Sequence, residues 1–204
     1  MRYSDSHKDE THAKLLKAAS VALREKGPDR VTVPEVMAAV GLTHGGFYAH
    51  FKSKEDMIAE AIKDTFARSS ARSRKMVEGL PPAHALSTFV DFYVSETHRD
   101  GPERGCPIVM LNSDIPRQSK KVRNAFEAGV KSLTAFLSQN IAALGHAEPD
   151  KLATTILSAM AGAVSLSRSV SDKALSDDLL QSARTTIKGR LGITESVLSQ
   201  KGKS

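Results

Sequence analysis

The sequence is poor in the residues that mark several protein classes. It has one cysteine, which excludes an internal disulfide and a zinc site closed by cysteines alone. It has no tryptophan, and aromatic residues make up 5% of its 204 positions, so aliphatic side chains must build the core. Its polar start favours a chain without a secretory signal peptide. The longest uncharged apolar stretch of its second half, residues 152–167, falls short of the roughly 20 residues of a membrane-spanning helix. We therefore expect a cytoplasmic protein without a membrane partner.

Enzyme motifs are missing as well. The sequence contains no glycine-rich phosphate loop, no paired-histidine metal motif and no nucleophile elbow. The pair Gly45-Gly46 is not a nucleotide-binding fingerprint, because no strand precedes it. These absences predict a protein that is not an enzyme and that uses no cofactor or metal.

Positive charge is concentrated near the N-terminus. The formal net charge is +6, and residues 1–54 carry nine basic and six acidic side chains. Half of the positive excess therefore lies on about a quarter of the chain. This distribution suits a nucleic-acid partner, although a solvated surface explains it equally well.

Apolar residues recur at helical spacing from end to end, which predicts an all-α protein. No alternation of strand length is convincing, and residues 30–33 come nearest to one. The polar last dozen residues are expected to fray. The predicted helices cover about residues 11–26, 33–40, 44–51, 53–78, 82–99, 106–111, 117–144, 149–170 and 177–191.

The first three helices follow one another closely, as in a helix-turn-helix. Gly41 suits a turn residue with positive φ, and Thr43 is a candidate N-cap of the next short helix. That helix opens with slim polar residues, so its N-terminus could approach a phosphate backbone or a groove floor. Phe47 and Phe51, four residues apart, should anchor its inner face. A small packing unit without a DNA partner is an equal alternative on geometry alone.

The same region resembles the recognition region of TetR/AcrR-family transcriptional regulators. The resemblance rests on Gly41-Leu42-Thr43-His44-Gly45-Gly46-Phe47-Tyr48-Ala49-His50-Phe51-Lys52-Ser53-Lys54-Glu55 and on the preceding Thr32-Val33-Pro34-Glu35-Val36-Met37. It covers about residues 11–58. It implies an N-terminal three-helix, helix-turn-helix DNA-binding domain over residues 1–54. A C-terminal helical domain for ligand binding and dimerisation would take residues 55–204.

The resemblance also implies the residues that contact DNA. Contacts to the phosphate backbone fall on Thr32, Thr43, Tyr48, His50 and Lys54, and those over the bases on His44, Gly45 and Gly46. The family often has Lys where His44 stands and Ser or Thr where Gly46 stands. Fewer side chains then reach base edges, so the operator sequence cannot be inferred.

The uncharged residues 152–167 are apolar or small on all faces, so a helix there needs partners on two sides. One partner can be the chain's own core and the other a second copy, which gives a four-helix interface about a two-fold axis. A core helix within a monomer is the alternative. The interface is assigned to Ile156, Ala159, Met160, Ala163, Leu180, Ala183 and Ile187.

A ligand pocket is expected between the helices near residues 86–93 and 122–144. Its candidate lining residues are Phe89, Phe92, Tyr93, Met110, Phe126 and Phe136, although aromatic residues at helical spacing also suit a plain core. Cys106 follows Arg104 at a predicted helix N-terminus, a position that favours a reactive thiolate and thus a sensor of electrophiles. A packed structural thiol is the alternative.

Together these features predict a homodimeric transcriptional regulator, a repressor released from its operator by a small molecule or by modification of Cys106. Its partners would be double-stranded DNA, a second copy of itself and an unknown small-molecule effector. The effector would change the spacing of the two DNA-reading domains through the long helix after Ser53. The alternative is a helical ligand-binding dimer without specific DNA recognition.

Overall fold

The structure is a computed structural model that describes residues 2–101, 103 and 105–199. Within these residues the backbone forms helices and no strand, which confirms the predicted all-α class. The α-helices are α1 (Arg2–Lys26), α2 (Val33–Ala38), α3 (Lys54–Val77), α4 (Pro82–Tyr93), α5 (Glu96–Asp100), α6 (Pro107–Leu111), α7 (Lys120–Ala142), α8 (Pro149–Ser169), α9 (Lys173–Arg190) and α10 (Glu195–Ser199). Two 3₁₀ helices, His44–Ala49 and Ile115–Arg117, are called the 44–49 helix and the 115–117 turn.

Two predicted helices differ from the observed ones because of backbone preferences. The helix expected over residues 82–99 is broken, because the Ser95 hydroxyl accepts the His98 N–H at 3.1 Å and starts α5 anew. The 44–49 helix is 3₁₀ instead of α-helical. Gly45 and Gly46 have low helix propensity, and the Gly46 N–H donates to the Thr43 carbonyl three residues back, at 3.1 Å.

The ends of the chain also differ from expectation. α1 begins at Arg2, well before the predicted start. α9 begins one turn early, because Asp172 Oδ1 accepts the backbone N–H of Ala174 at 2.9 Å. α10 lies in the segment expected to fray, and residues 200–204 fall outside the described residues.

The chain divides into two compact units. The first comprises Met1–Arg68 and Pro102–Gly129, and the second comprises Ser69–Gly101 and Val130–Ser204. Two of the three points of division fall inside helices, within α3 and within α7, and the third lies between α5 and α6. The proposed functional boundary between residues 54 and 55 stays a prediction, because packing units and DNA-reading domains need not coincide.

The first unit has an aliphatic core with a few phenylalanines. Its fully buried side chains include Leu15, Leu23, Met37, Phe47, Phe51, Met57 and Ile62. Phe66 of α3 meets Phe126 of α7 edge to face, with ring centroids 5.7 Å apart. Gly129, one turn further along α7, lies directly against the Phe66 ring.

The second unit is built on α8 and α9, which pack against each other. A buried guanidinium ties α5 to α9, because Arg99 Nη1 donates to Ser176 Oγ at 2.9 Å and to Asp177 Oδ1 at 2.6 Å. Arg99 Nε also donates to Asp100 Oδ1 at 2.7 Å. These hydrogen bonds lower the pKa of Asp100 and of Asp177 below the ordinary value, so both carboxylates stay charged and paired. The sequence analysis did not detect this network, since its members lie far apart in the chain.

Gly129→Ala should destabilise the first unit. An added Cβ would overlap the Phe66 ring, and overpacking of this kind costs about 1–3 kcal/mol of unfolding free energy. Urea denaturation measures the loss, and Phe66→Leu in the same chain should recover part of it. Gly189→Ala is the matched control, because its Cβ would meet nothing within 4 Å. An unchanged unfolding midpoint for Gly129→Ala would contradict the close α3–α7 approach.

Candidate nucleic-acid interface

The residue before α2 presents an exposed hydroxyl. Thr32 has an extended backbone (φ −115°, ψ 148°), and its Oγ1 accepts the Glu35 N–H at 3.4 Å. Pro34 lies in the first turn of α2, where a missing N–H costs nothing. The Glu35 carboxylate pairs with Lys26 of α1, so only half of the capping box forms. The Thr32 hydroxyl keeps its proton for an external acceptor.

Gly41 turns the chain between α2 and the 44–49 helix. Its φ of 75° lies in the left-handed region, which glycine adopts without strain. The Leu42 N–H then donates back to the Met37 carbonyl at 3.0 Å and satisfies a carbonyl at the end of α2. The turn therefore has the geometry that the sequence predicts for it.

The 44–49 helix has a buried face and an open face. Phe47 and Phe51 are each 2% exposed, and their ring centroids lie 5.4 Å apart, which confirms the predicted inner face. Tyr48 is 73% exposed, and Thr43 and His44 are exposed as well. Thr43 is the N-cap residue, as predicted, but its side chain makes no capping hydrogen bond. The open face thus carries two hydroxyl groups and an imidazole.

The two glycines of this helix have different surroundings. A Cβ at Gly45 would meet nothing within 4 Å, whereas one at Gly46 would lie 3.4 Å from Met37 Cε of α2. Gly46 therefore helps the 44–49 helix pack closely on α2, with which it is in contact. Gly45 is open to solvent. The base contacts expected at both positions stay predictions.

His50 is half-buried beside the N-terminal helix. Its ring centroid lies 6.0 Å from that of His12, whose Nε2 is 3.0 Å from Glu60 Oε2. Burial lowers the pKa of His50, and the neighbouring His12 and Lys8 lower it further. Its Nδ1 is buried without a hydrogen-bond partner among the described residues. In the chain without DNA, these surroundings therefore favour the neutral form of the His50 ring.

Two side-chain hydrogen bonds fix the start of α3. Ser53 Oγ accepts the Asp56 N–H at 3.1 Å, and Asp56 Oδ2 accepts the Lys52 N–H at 3.2 Å. An ion pair with Lys121 lowers the pKa of Asp56, and the Lys52 N–H lowers it further. Lys54 Nζ donates to the Asp29 carbonyl at 3.3 Å. The two lysines thus flank the end of the 44–49 helix on a rigid backbone.

These features match a known arrangement over most of the chain. The family model for bacterial regulatory proteins of the tetR family matches residues 15–61, which include every residue placed above from Thr32 to Asp56. A second model, for the C-terminal domain of LmrA/YxaF-like transcriptional regulators, matches residues 82–179. The chain belongs to the TetR family. Proteins of the TetR family are transcriptional regulators with a helix-turn-helix DNA-binding domain, and they are not enzymes.

Individual known proteins are also similar to this chain. The helix-turn-helix transcriptional regulator YfiR of Bacillus subtilis is 26% identical over 107 residues, a match that spans 52% of each chain. The transcriptional regulator AcuR of Cereibacter sphaeroides is 28% identical over 164 residues, or 75% of this chain and 74% of AcuR. The structure of reduced Escherichia coli NemR has a TM-score of 0.78 at 19% identity and covers 88% of this chain and 96% of its own. The likeness to NemR confirms the fold.

Three of the predicted pocket residues of this TetR-family chain meet within the second unit. The Phe89 ring centroid lies 5.8 Å from that of Tyr93 and 5.2 Å from that of Phe136. Two neighbours were not predicted, because nothing in the local sequence marks them. His98 Nδ1 donates to the Tyr93 carbonyl at 2.6 Å, and the Arg74 guanidinium lies 5.8 Å from the centre of the Phe136 ring.

The other predicted pocket residues lie elsewhere. Phe92 is 39% exposed, and its assignment to the pocket stays a prediction. Phe126 packs on Phe66 in the first unit, and Met110 approaches Gly105 there. Cys106 is the N-cap of α6 and is 6% exposed. Arg104 lies outside the described residues, so the sensor role of Cys106 stays a prediction.

Five of the seven residues assigned to the dimer interface are buried within their own chain, which corrects their assignment. Ile156, Met160, Leu180 and Ile187 are buried within their own chain, so they have almost no surface left for a second copy. Ala163 is also buried, whereas Ala159 and Ala183 keep exposed surface. The sequence periodicity did not predict this burial, because a helix apolar on all faces does not show which face meets α9. The large apolar side chains exposed on α8 and α9 are Leu166 and Leu175.

The described part of the chain holds neither a membrane-spanning helix nor a cluster of metal-binding side chains. No helix there combines the length and the apolar character that a membrane crossing requires. No group of three or more histidine, cysteine or acidic residues is arranged there to hold a metal ion.

Gly45→Ala should weaken binding to an operator duplex without harming the fold. The added methyl group meets no protein atom, so a loss must come from contact with DNA. Steric overlap of one methyl at a close interface costs about 1–2 kcal/mol, or roughly tenfold in affinity. The operator is a duplex that the wild-type chain enriches from a random-sequence library, and gel-shift titration measures the affinity. Gly189→Ala is again the control, and an unchanged affinity for Gly45→Ala would place Gly45 away from DNA.

Proposed function

We propose that this TetR-family regulator is a homodimeric repressor that binds a two-part operator and releases it when a small molecule binds. The observation that carries the proposal is the open face of the 44–49 helix, where Tyr48 is 73% exposed beside two buried phenylalanines. A large aromatic side chain with a hydroxyl tip, held out from a rigid base, is suited to a phosphate contact. The repressor role is the one typical of the family.

The proposed contacts divide by chemistry. Thr32, Thr43 and Tyr48 offer hydroxyl donors and Lys54 offers an ammonium group, and these groups suit phosphate oxygens. His44 is the one side chain on the open face that would reach a base edge. With so little direct readout, the shape and deformability of the duplex must supply part of the specificity. The proposed partner, double-stranded DNA, places the protein in the cytoplasm.

The effector is proposed to bind within the second unit. The cluster of Phe89, Tyr93 and Phe136 offers aromatic surface, and His98 and Arg74 add polar groups beside it. α3 is continuous from Lys54 to Val77 and contributes residues to both units, so it is the proposed path of the signal. Release requires the effector to prefer the chain conformation that cannot bind the operator. Modification of Cys106 stays the alternative trigger.

Tyr48→Phe and Tyr48→Ala test the DNA contact. Removing the hydroxyl should weaken operator binding about tenfold, because a hydrogen bond to a charged phosphate is lost, and Ala should weaken it further. The same factor should apply to a random duplex, since a phosphate contact reads no sequence. Gel-shift titration measures both affinities, and Phe92→Ala, which removes an exposed aromatic in the second unit, should leave them unchanged.

Two results would count against the proposal. Wild-type affinity in Tyr48→Ala would remove Tyr48 from the interface. Equal wild-type affinity for the operator and for a random duplex would favour the alternative, a ligand-binding helical dimer without specific DNA recognition.

The second copy is proposed to pack on the exposed sides of α8 and α9, which carry Ala159, Ala183, Leu166 and Leu175. A dimer is what a helix-turn-helix needs to reach two half-sites about 34 Å apart.

Leu166→Glu should split the dimer, because it places a charge within this apolar surface. Leu166 is 56% exposed in the single chain, so the variant should still fold. Sedimentation should show the mass falling to that of one 22.0 kDa chain. Leu80→Glu makes the same change at another exposed leucine and should remain dimeric. A Leu166→Glu protein that sediments like wild type would exclude this interface.

A further inference from the structure

A basic segment outside the helix-turn-helix belongs to the first unit. Residues 114–123 contain four basic side chains and one carboxylate. They cover the 115–117 turn and the start of α7, about sixty residues after Lys54 in the chain. Compact packing nevertheless groups them with residues 1–68. No role has been derived above for this charge.

Two side chains of the segment are anchored beside the lysines at the start of α3. Gln118 Nε2 donates to Asp29 Oδ1 at 2.8 Å, and the carbonyl of the same Asp29 accepts Lys54 Nζ at 3.3 Å. Lys121 pairs with Asp56, whose Oδ2 also accepts the Lys52 N–H. Asp29 therefore bridges Gln118 and Lys54, and Asp56 bridges Lys121 and Lys52.

A third contact fixes the beginning of the segment. A Cβ placed on Gly27, in the loop after α1, would lie 2.8 Å from Asp114 Oδ2. The segment is thus held against the loop between α1 and α2 and against the start of α3. The loop after α1 leads to Thr32 before α2, and the start of α3 follows the 44–49 helix in the chain.

Two further basic side chains of the segment, Arg117 and Lys120, are exposed. Lys121 neutralises Asp56, a carboxylate that would otherwise repel a phosphate near Lys52. Among the described residues, Arg117 forms an ion pair with Asp114 alone. An exposed pair of this kind contributes little to stability. Lys120 is exposed and makes no ion pair with a residue in the described ranges. Arg117 and Lys120 alternate along the chain with the anchored Gln118 and Lys121.

We propose that Arg117 and Lys120 form a second contact with the phosphate backbone of duplex DNA, continuous with the contact of Lys52 and Lys54. The proposal rests on the DNA-binding function proposed above and extends its footprint beyond the helix-turn-helix. Charges within about 8 Å of phosphates still act at physiological salt, and a duplex presents a phosphate about every 1.7 Å along its axis. The contact is independent of base sequence, because ammonium and guanidinium groups here meet only phosphates.

Salt dependence of binding tests this proposal. The variant Arg117→Gln/Lys120→Gln and the wild type are titrated with the enriched operator and with a scrambled duplex of equal length, from 50 to 200 mM salt. Each lost phosphate contact should lower the magnitude of the slope of log K against log salt by roughly 0.9. The magnitude of the slope should fall by about 1 to 2 in the variant on both duplexes. The ratio of the two affinities should stay as in the wild type.

The matched control is Lys151→Gln/Arg190→Gln, which removes two exposed positive charges from the second unit. It should keep the wild-type slope, which separates a local contact from a change in net charge. An unchanged slope for Arg117→Gln/Lys120→Gln would overturn the proposal. Urea denaturation confirms that both variants fold.

The outcome is distinguishable from failure of the proposed function. If the wild type does not prefer the operator, specific regulation fails, yet the slope on the scrambled duplex still reports the basic segment. If the wild type prefers the operator and the slopes of variant and wild type agree, the segment serves only to hold α7 in place, and the proposal fails alone.

Discussion

The proposed function depends on the burial of two phenylalanine rings. The 44–49 helix is too short and too rich in glycine to be stable alone, since isolated short helices are marginal in water. Burial of an aromatic side chain of this size contributes about 1.5–3 kcal/mol, so Phe47 and Phe51 fix the helix through tertiary packing. Phe47 lies in the helix and Phe51 follows it, and their neighbouring rings hold the same side of this segment. Tyr48 is consequently held outside on a rigid base, where a partner can meet it without reordering the backbone.

Polar contacts also hold the start of α3 and the start of α7 together. The side-chain hydrogen bonds of Ser53 and Asp56 hold the start of α3, and Asp56 also pairs with Lys121 of α7. A boundary drawn between residues 54 and 55 would separate Lys52 from the carboxylate that accepts its N–H. The physical unit around the proposed DNA surface is therefore larger than the helix-turn-helix. The basic charge at the start of α7 lies beside that surface because of these same contacts.

Local sequence patterns predicted most of the helices, but they predicted fewer of the faces that are buried or exposed. Glycine and proline positions placed the ends of α6 and α8 within about two residues, and the spacing of Phe47 and Phe51 predicted the inner face. Residues 152–167 predicted a buried helix, yet uniform apolarity did not show that Met160 faces the chain's own core. The Arg99 network and the pairing of Lys121 with Asp56 join residues far apart in sequence, and no local periodicity reports such contacts.

Hydroxyl-radical footprinting of the wild-type complex on its enriched operator tests the central claim most directly. The proposed dimer presents the open face of the 44–49 helix twice, so backbone protection should occur in two matching blocks centred about 10 base pairs, one helical turn, or a multiple of that apart. A single protected block, or uniform protection without a repeat, would contradict the account.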